Sequence, residues 1–363
     1  MLLRSLRGLL LALLVPAAAC AAEEKVLNIY NWADYIAPDT IANFEREFGI
    51  EVNYDLYDAT AVAEAKLLAG STGYDLVLQA LRYSARIIPI GVFQPLDKTQ
   101  LPLWVNLDPW VLGVMARSDP GNTFAAPYMW GTTGFMYNID MVLERMPDAP
   151  VDSAAMLFDP AVAARFADCG ITWLDEASTV IPLVMLYLGH DPHSMDPGQL
   201  AEAEAQLKSV RPYIRYINSA MGLNDMGNRE ICISMAWSGD YTQAQNRADE
   251  VGAKVRLGYT VPREGTVLWF DSLLIPADAP HPGNAHLFLD YLMRPEVIAP
   301  ISEYTGYANA NLASVPLLDP GFANDPAAYP PMAARSGWQA GRLYDPKRER
   351  VRSRIWSRVK AGL

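Results

Sequence analysis

Short apolar segments alternate with helical patterns in the first part of the chain, and this alternation constrains the fold most strongly. Three segments have the length and the apolar content of β-strands: 26–32, 50–57 and 74–79. The stretches between them, 38–49 and 60–70, have helical patterns. A β-α-β-α-β order predicts a parallel sheet with helices on its faces, and therefore an α/β fold. Ligands of such sheets bind at the carboxyl ends of the strands.

The rest of the chain predicts a second unit of the same class. A length of 363 residues favours two domains over a single core. Residues 131–134 read Gly-Thr-Thr-Gly between two apolar runs, and small residues in mid-strand predict a crossing point that must flex. A second α/β region follows at 150–240, with further strands at 254–262 and 266–276 and a helix at 283–295.

The first 22 residues are typical of an export signal. Two arginines precede the apolar run 9–19, and small residues up to Ala22 offer cleavage sites. We therefore predict a signal peptide at 1–22 and a periplasmic location. An uncleaved anchor is the first alternative, although the run is short for a membrane span. A lipid anchor at Cys20 is the second, although the residues before it lack the usual leucine.

The two remaining cysteines are Cys169 and Cys232. An even pair in an oxidising compartment favours a disulfide, and two free buried thiols are the alternative. Their spacing does not fit a zinc site, in which cysteines occur as close pairs. A metal site at His190 and His193 is conceivable, but the proline and glycine content of that segment favours a surface loop. We therefore predict no metal site.

Three segments share one chemistry, because each places a tryptophan two or three residues before an aspartate near a strand end. They are 32-WADY-35, 237-WSGDY-241 and 269-WFDSL-273. Asp271 is the least expected aspartate, since it lies inside an apolar strand and an uncompensated buried carboxylate costs on the order of several kcal/mol. Its partner is either an arginine of the fold or a cationic ligand. Aromatic faces attract ammonium groups and carboxylates accept their hydrogen bonds, so the segments predict a site for a small amine.

Other interpretations of these residues remain open. Core packing and helix capping explain any single Trp–Asp pair. Asp240 and Asp271 would suit a carbohydrate-active enzyme if their spacing were right. The sequence contains no G-x-S-x-G, phosphate-loop or H-E-x-x-H pattern, and its net charge of −12 argues against nucleic acid. The basic tail 345–362 predicts a docked amphipathic helix with Val351 on its apolar side, and contact with a membrane or nucleic acid is the alternative.

The chain resembles the periplasmic substrate-binding proteins of polyamine ABC transporters, and the putrescine receptors in particular. The resemblance covers nearly the whole mature chain and is carried by six segments: 28-NIYNWADYIAPDT-40, 69-AGSTGYDLV-77, 91-GVFQPLDK-98, 126-APYMWGTTG-134, 236-AWSGD-240 and 306-GYANAN-311. It implies a two-lobed fold of the type II kind, with crossing hinge strands and a cleft between the lobes. The implied lobes are 25–128 with about 246–302, and about 132–242 with about 305–363.

The same resemblance implies a monomer that has no cofactor and no catalytic activity. Such a protein captures a small amine and delivers it to a membrane permease, or presents its liganded form to a sensor. The implied ligand contacts are Trp32, Asp34, Tyr35, Ser219, Trp237, Asp240, Trp269, Asp271 and Tyr307. The resemblance also implies the bridge between Cys169 and Cys232.

Several positions depart from the family pattern. Serines of the family are replaced by Ala33, Ala80 and Arg82, and a glutamate that serves the far amine is replaced by Thr179. Glu176, three residues earlier, is a possible substitute for that glutamate. Arg82 either points to solvent or lies beside the ligand, where it would disfavour a second ammonium. Putrescine is the first expectation for the ligand, and a modified monoamine such as an acylated diamine or an ω-amino acid is the alternative.

Overall fold

The computed structural model describes residues 23–57, 60–342 and 344–362. The predicted signal peptide and Cys20 therefore lie outside the described residues. The strands, numbered in chain order, are β1 (Val26–Trp32), β2 (Glu51–Tyr57), β3 (Leu76–Ala80), β4 (Ala125–Gly131), β5 (Thr133–Asn138), β6 (Ile171–Trp173), β7 (Ile214–Ile217), β8 (Ile233–Trp237), β9 (Leu257–Thr260), β10 (Val267–Leu274), β11 (Ala308–Asn309) and β12 (Gln339–Ala340).

The α-helices are connected by loops and short 3₁₀ turns. They are α1 (Thr40–Phe48), α2 (Thr60–Ala69), α3 (Leu81–Ile87), α4 (Pro109–Met115), α5 (Ile139–Arg145), α6 (Ala155–Phe158), α7 (Pro160–Ala163), α8 (Ala177–Tyr187), α9 (Pro197–Val210), α10 (Met221–Gly227), α11 (Asp240–Glu250), α12 (Pro282–Leu292), α13 (Pro295–Thr305), α14 (Pro320–Ala323), α15 (Met332–Arg335) and α16 (Pro346–Ala361).

The strands form two mixed sheets of similar design. The first has the order β11-β4-β10-β3-β1-β2, and β12 pairs with the start of β10. In it, β1 runs parallel to β2 and β3, while β10 is antiparallel to β3 and β4. The second has the order β7-β6-β8-β5-β9, with β6 parallel to β7 and β8, and β5 antiparallel to β8 and β9. The two sheets confirm the predicted α/β class.

The first helix shows how the local sequence sets an element. Its C-terminal cap is Gly49, whose φ of 65° is left-handed and whose N–H donates to Glu45 O at 2.8 Å. Phe44 is fully buried on the inner side of the helix and packs against Phe288 of α12. The helix begins at Thr40, two residues later than the predicted start. Tertiary packing thus fixes the orientation of a helix whose end the glycine already specifies.

Each sheet has its own apolar core. The core of the first sheet includes side chains of α1, α2, α3, α4, α12 and α13, and that of the second includes α5 to α9 together with α16. Cys169 and Cys232 lie in the second core and form a disulfide with 5.5 Å between their Cα atoms, which confirms the predicted bridge. Separate cores allow the two halves to move as units, and we call them lobe 1 and lobe 2.

Two neighbouring connections between strands join the lobes, and the described chain passes between them a third time between β12 and α16. One runs from Gly131, the end of β4, to Thr133, the start of β5. The other runs from Thr260, the end of β9, to β10, and here Thr266 Oγ1 donates to Thr133 O at 2.6 Å. The first connection lies where the run of small residues led us to expect a crossing.

The sheets divide the C-terminal half differently from the boundaries that the resemblance implied. β9 pairs with β5, so residues 246–260 lie with lobe 2 rather than with lobe 1. β11 pairs with β4, and β12 with β10, so residues 305–340 lie with lobe 1 rather than with lobe 2. We propose revised lobes of 23–131 with 267–340, and 133–260 with 346–362. These boundaries differ from the implied ones because the short strands pair with strands far away in the chain.

The C-terminal helix α16 returns to lobe 2 and docks there. Ile355, Trp356 and Val359 are buried in the second core, as the amphipathic pattern predicted. The predicted Val351 is instead 38% exposed, and the neighbouring Arg352 is buried. Arg352 is accommodated because it donates to two backbone carbonyls of the loop after α8 and lies over the ring of Tyr344. No described helix is long and apolar enough to cross a membrane.

Candidate functional site

The cleft between the lobes is lined by residues at the carboxyl ends of parallel strands. In lobe 1, Trp32 ends β1, Tyr57 ends β2, and α3 follows β3 without a gap. In lobe 2, Trp237 ends β8, and Glu176 follows β6 by three residues. Both sheets therefore direct their strand ends at the cleft, which is where ligands of α/β sheets bind.

Asp271 lies where the pairing of β10 and β4 is irregular. Between Phe270 and Ser272 the register shifts, so that Tyr128 and Met129 of β4 lie opposite Asp271. Such a bulge redirects side chains, which explains how a carboxylate fits into an apolar strand. Its Oδ2 accepts from Tyr35 Oη at 2.8 Å. Burial raises the pKa of the Asp271 carboxyl to about 6, against the lowering effect of this hydrogen bond.

Asp240 is the first residue of α11, three residues after Trp237 at the end of β8. Its Oδ1 accepts from Tyr307 Oη at 2.6 Å, and its Oδ2 accepts from the Trp237 N–H at 3.0 Å. Burial raises the pKa of Asp240 to about 6, although both hydrogen bonds lower it. Tyr307 belongs to lobe 1 and Asp240 to lobe 2, so their hydrogen bond joins the lobes beside the crossing strands.

Among the residues that the structure describes, no cation contacts the carboxylate of either acid directly. Among the described residues, the hydrogen bonds to Asp240 and Asp271 come from tyrosine hydroxyls and a backbone N–H. Uncharged donors leave the full negative charge on an ionised carboxylate, and burial makes that charge costly. The raised pKa values are the sign of this cost, and a bound cation would relieve it.

Aromatic rings connect the two acids. The Tyr307 ring lies 5.6 Å from Tyr35 and 5.1 Å from Trp269, in both cases edge to face. The Trp269 indole donates from Nε1 to Thr132 O at 3.1 Å, which holds it against the crossing strand. Its position requires Gly131, since a Cβ there would lie 2.4 Å from Trp269 Cζ2. The rings and the two carboxylates form one continuous surface.

Trp32 lies on the lobe 1 side of this surface. Its ring centroid is 4.2 Å from that of Tyr57, and the indole is partly buried against the core of lobe 1. Tyr57 is electrostatically coupled to Asp271, whose charge adds to burial in raising the pKa of this tyrosine. Trp237 packs against both cores, so it spans the junction of the lobes. The structure thus brings seven of the nine expected contact residues to one region.

The other two expected contacts, Asp34 and Ser219, have different surroundings. The Asp34 side chain is 62% exposed and forms an ion pair with Arg247 of lobe 2 at 3.3 Å. Its φ of 53° places its backbone in the left-handed region, within the turn that follows β1. Ser219 is exposed, and its Oγ accepts from the Asp175 N–H at 2.9 Å. Both residues are exposed.

The residues that depart from the family pattern have different surroundings. Ala80 lies directly opposite Asp271 in the pairing of β3 with β10, and Ala33 is exposed. Arg82 does not point to solvent, because its guanidinium forms an ion pair with Glu176 and lies 3.5 Å from Thr179 Oγ1. Glu176 thus faces the cleft, but it is engaged by the protein itself.

Comparison with known proteins assigns the family. Residues 39–331 match the model of the bacterial extracellular solute-binding proteins. This chain belongs to that family.

The relatives of this solute-binding protein are named for polyamines. It is 45% identical to the putrescine-binding periplasmic protein PotF of Escherichia coli (strain K12), over 96% of this chain and 95% of the relative. It is 41% identical to the putrescine-binding periplasmic protein SpuD of Pseudomonas aeruginosa (strain UCBPP-PA14), over 99% and 98% of the two chains. Among solved structures, the spermidine/putrescine substrate-binding protein PotD of Streptococcus pneumoniae has a TM-score of 0.81 at 29% identity, covering 93% and 99%.

Several residues at the cleft were not found by sequence reasoning. Tyr57 lies beside Trp32, Tyr83 Oη donates to Glu176 at 2.8 Å, and Tyr128 Oη donates to the backbone of Tyr35 at 2.8 Å. Tyr57 ends a parallel strand, so the strand-end rule that identified Trp32 would also have identified it. Tyr83 and Tyr128 lie within a helix and a bulged strand, where sequence alone carries no such signal.

The two histidines considered for a metal site have other partners. His190 Nε2 is 2.8 Å from Glu202 Oε2, while His193 contacts Tyr344 Oη and Ala340 O. Over the part of the chain that the structure describes, no group of three or more histidine, cysteine or acidic side chains is placed to hold a metal ion.

Proposed function

We propose that this chain is an exported receptor that captures putrescine or a related small amine between its lobes and delivers it to an ABC permease. The polyamine-binding relatives support this proposal, and so does their periplasmic location. The observation that carries it is the pair of acids Asp240 and Asp271, which have only uncharged donors among the described residues and are framed by aromatic rings. The protein acts by binding, and we propose no catalytic step.

The proposed contacts are the seven residues at the cleft: Trp32, Tyr35, Trp237, Asp240, Trp269, Asp271 and Tyr307. The carboxylates accept charge-assisted hydrogen bonds, each contributing roughly 1.5–3 kcal/mol. The rings contact the alkyl stem and attract the ammonium charge, at roughly 0.5–2 kcal/mol each. Micromolar affinity requires about −8 kcal/mol, which lies within the reach of these groups. Asp34 and Ser219 stay predicted contacts.

Capture involves both lobes, because the site residues are divided between them. Tyr35, Trp269 and Asp271 belong to lobe 1, while Trp237 and Asp240 belong to lobe 2. A ligand that contacts both sets binds the closed form more tightly than the open form and so shifts the equilibrium towards closure. The closed, liganded form is the one that a permease would recognise.

The test is a calorimetric titration of the mature protein with putrescine. We expect Asp271→Asn to weaken binding at least tenfold, since the substitution removes the charge but keeps the shape of the side chain and the acceptor for Tyr35. The melting temperature of the ligand-free variant should not fall, because burial disfavours the ionised form of this acid. Asp148→Asn is the matched control, since Asp148 is exposed and is not one of the seven proposed contacts.

Two results would contradict the proposal. The first is the absence of both binding heat and thermal stabilisation with each of putrescine, N-acetylputrescine and spermidine at millimolar concentration. The second is equal affinity of the wild type and Asp271→Asn, with the Asp148→Asn control confirming that the assay reports specific binding.

A further inference from the structure

Among the described residues, two ion pairs cross from one lobe to the other, and the more buried pair lies at the site. Arg82 is the second residue of α3 in lobe 1, and Glu176 immediately precedes α8 in lobe 2. Their side chains are only 14% and 21% exposed, whereas those of Asp34 and Arg247 are 62% and 41% exposed. Solvent screens the exposed pair, so the Arg82–Glu176 pair is the stronger electrostatic contact between the lobes.

Glu176 is fully engaged by side chains of the protein. Its Oε1 accepts from the Arg82 guanidinium and from Tyr83 Oη, and its Oε2 accepts from Thr179 Oγ1. Burial acts to raise the pKa of Glu176, but the charge of Arg82 and these hydrogen bonds outweigh it, so the pKa lies below its ordinary value. The carboxylate is therefore ionised, and its charge is already compensated.

This pair lies next to the proposed anchor of the ligand amine. Ala80 is directly opposite Asp271 in the β3–β10 pairing, and Arg82 follows two residues later. The two partners act on Asp271 with opposite sign, since the charge of Arg82 lowers its pKa and the charge of Glu176 raises it. An amine held by Asp271 thus lies within electrostatic reach of a guanidinium.

Arg82 also has an unused donor. Its Nε is buried and has no hydrogen-bond partner among the described residues, although the other guanidinium nitrogens contact Glu176, Tyr83 and Thr179. A buried N–H without an acceptor is unfavourable. An oxygen on a ligand would satisfy it, whereas a second ammonium has only donors to offer.

Building on the proposed function, we propose that Arg82 is a specificity-determining residue that acts as an internal cation. Its guanidinium forms the ion pair with Glu176, so Glu176 is not free to bind a ligand ammonium. The site therefore binds a small amine whose other polar group is uncharged or anionic more tightly than it binds diamines and longer polyamines. A second ammonium must either displace Arg82 from Glu176 or lie beside a like charge, and both are unfavourable. A carbonyl or carboxylate oxygen instead accepts from the guanidinium.

The test compares putrescine, N-acetylputrescine and spermidine by calorimetry. In the wild type we expect N-acetylputrescine to bind at least as tightly as putrescine, and spermidine to bind at least tenfold more weakly than either. In Arg82→Gln, the charge of Glu176 is no longer compensated by a cation. The affinities for putrescine and for spermidine should therefore each rise at least tenfold relative to the affinity for N-acetylputrescine. Arg82→Lys should keep the wild-type order, since it keeps the charge.

The double variant Arg82→Gln/Glu176→Gln is the matched control. It removes both charges, so the ratio of affinities should return towards that of the wild type. Spermidine binding to the wild type as tightly as N-acetylputrescine would overturn the inference, even if Arg82→Gln does not fold. So would an affinity ratio that stays within threefold of the wild type in a folded Arg82→Gln. If none of the three amines binds the wild type, the proposed function fails together with this inference.

Discussion

The affinity for an amine should fall steeply as the pH is lowered from 7.5 to 5.0. Burial raises the pKa of both Asp240 and Asp271 to about 6. As the pH falls through 6, each carboxylate takes up a proton and loses the charge that attracts the ligand. The ligand amine keeps its own proton over this whole range, because its pKa is near 10. The two aspartates are therefore the groups in the site expected to titrate here.

The magnitude follows from the two pKa values. At pH 5.0 an acid with a pKa of about 6 is protonated in roughly ten of eleven molecules, so a ligand that needs the carboxylate binds about tenfold more weakly. If both acids are needed, the loss is about 100-fold, or about 2.7 kcal/mol. At pH 6 each acid is half protonated, so binding should release about one proton in total.

Calorimetry in two buffers with different ionisation enthalpies measures both the affinity and the released protons. In the variant Asp271→Asn the affinity should fall by only about tenfold between pH 7.5 and 5.0, since Asp240 is then the one aspartate of the pair that titrates in this range. An affinity that stays within threefold between pH 7.5 and 5.0, without proton release at pH 6, would refute the assignment of these acids as ligand anchors.

Two further predictions concern substitutions of residues that support the site or the lobe that carries it. Gly131→Ala should weaken putrescine binding at least fivefold, because the added Cβ displaces the Trp269 ring; Gly113→Ala in α4, where a Cβ meets nothing within 4 Å, is the control and should leave Kd unchanged. Replacing Cys169 and Cys232 together by alanine opens a link over 63 residues and should lower the free energy of unfolding by about 4 kcal/mol. Putrescine affinity should persist in that variant, since Cys232 lies just before the start of β8, away from the strand end that carries the site; loss of binding in a folded protein would contradict this.

Local patterns predicted the elements of the fold well. The first three strands and the two helices between them lie within a few residues of their predicted bounds, because strand and helix periodicity is a property of neighbouring residues. The Trp–Asp segments were also recognisable, since their position at strand ends follows from the order of the elements. The exposed Val351 and the buried Arg352 were not, because their environment depends on a loop more than 150 residues away.

The sequence by itself determined that this is an α/β chain of two lobes with acids and aromatic rings at strand ends, since those features follow from short-range patterns. Tertiary structure decided the division of the lobes beyond residue 240, because β9 and β11 find their partners far away in the chain. It also decided which charges remain available to a ligand. Arg82 neutralises Glu176 across the cleft, whereas in the described part of the chain Asp271 accepts a hydrogen bond from a tyrosine hydroxyl alone. Whether a carboxylate is paired with a cation depends on the side chains that surround it in three dimensions, and a local sequence pattern does not specify those neighbours.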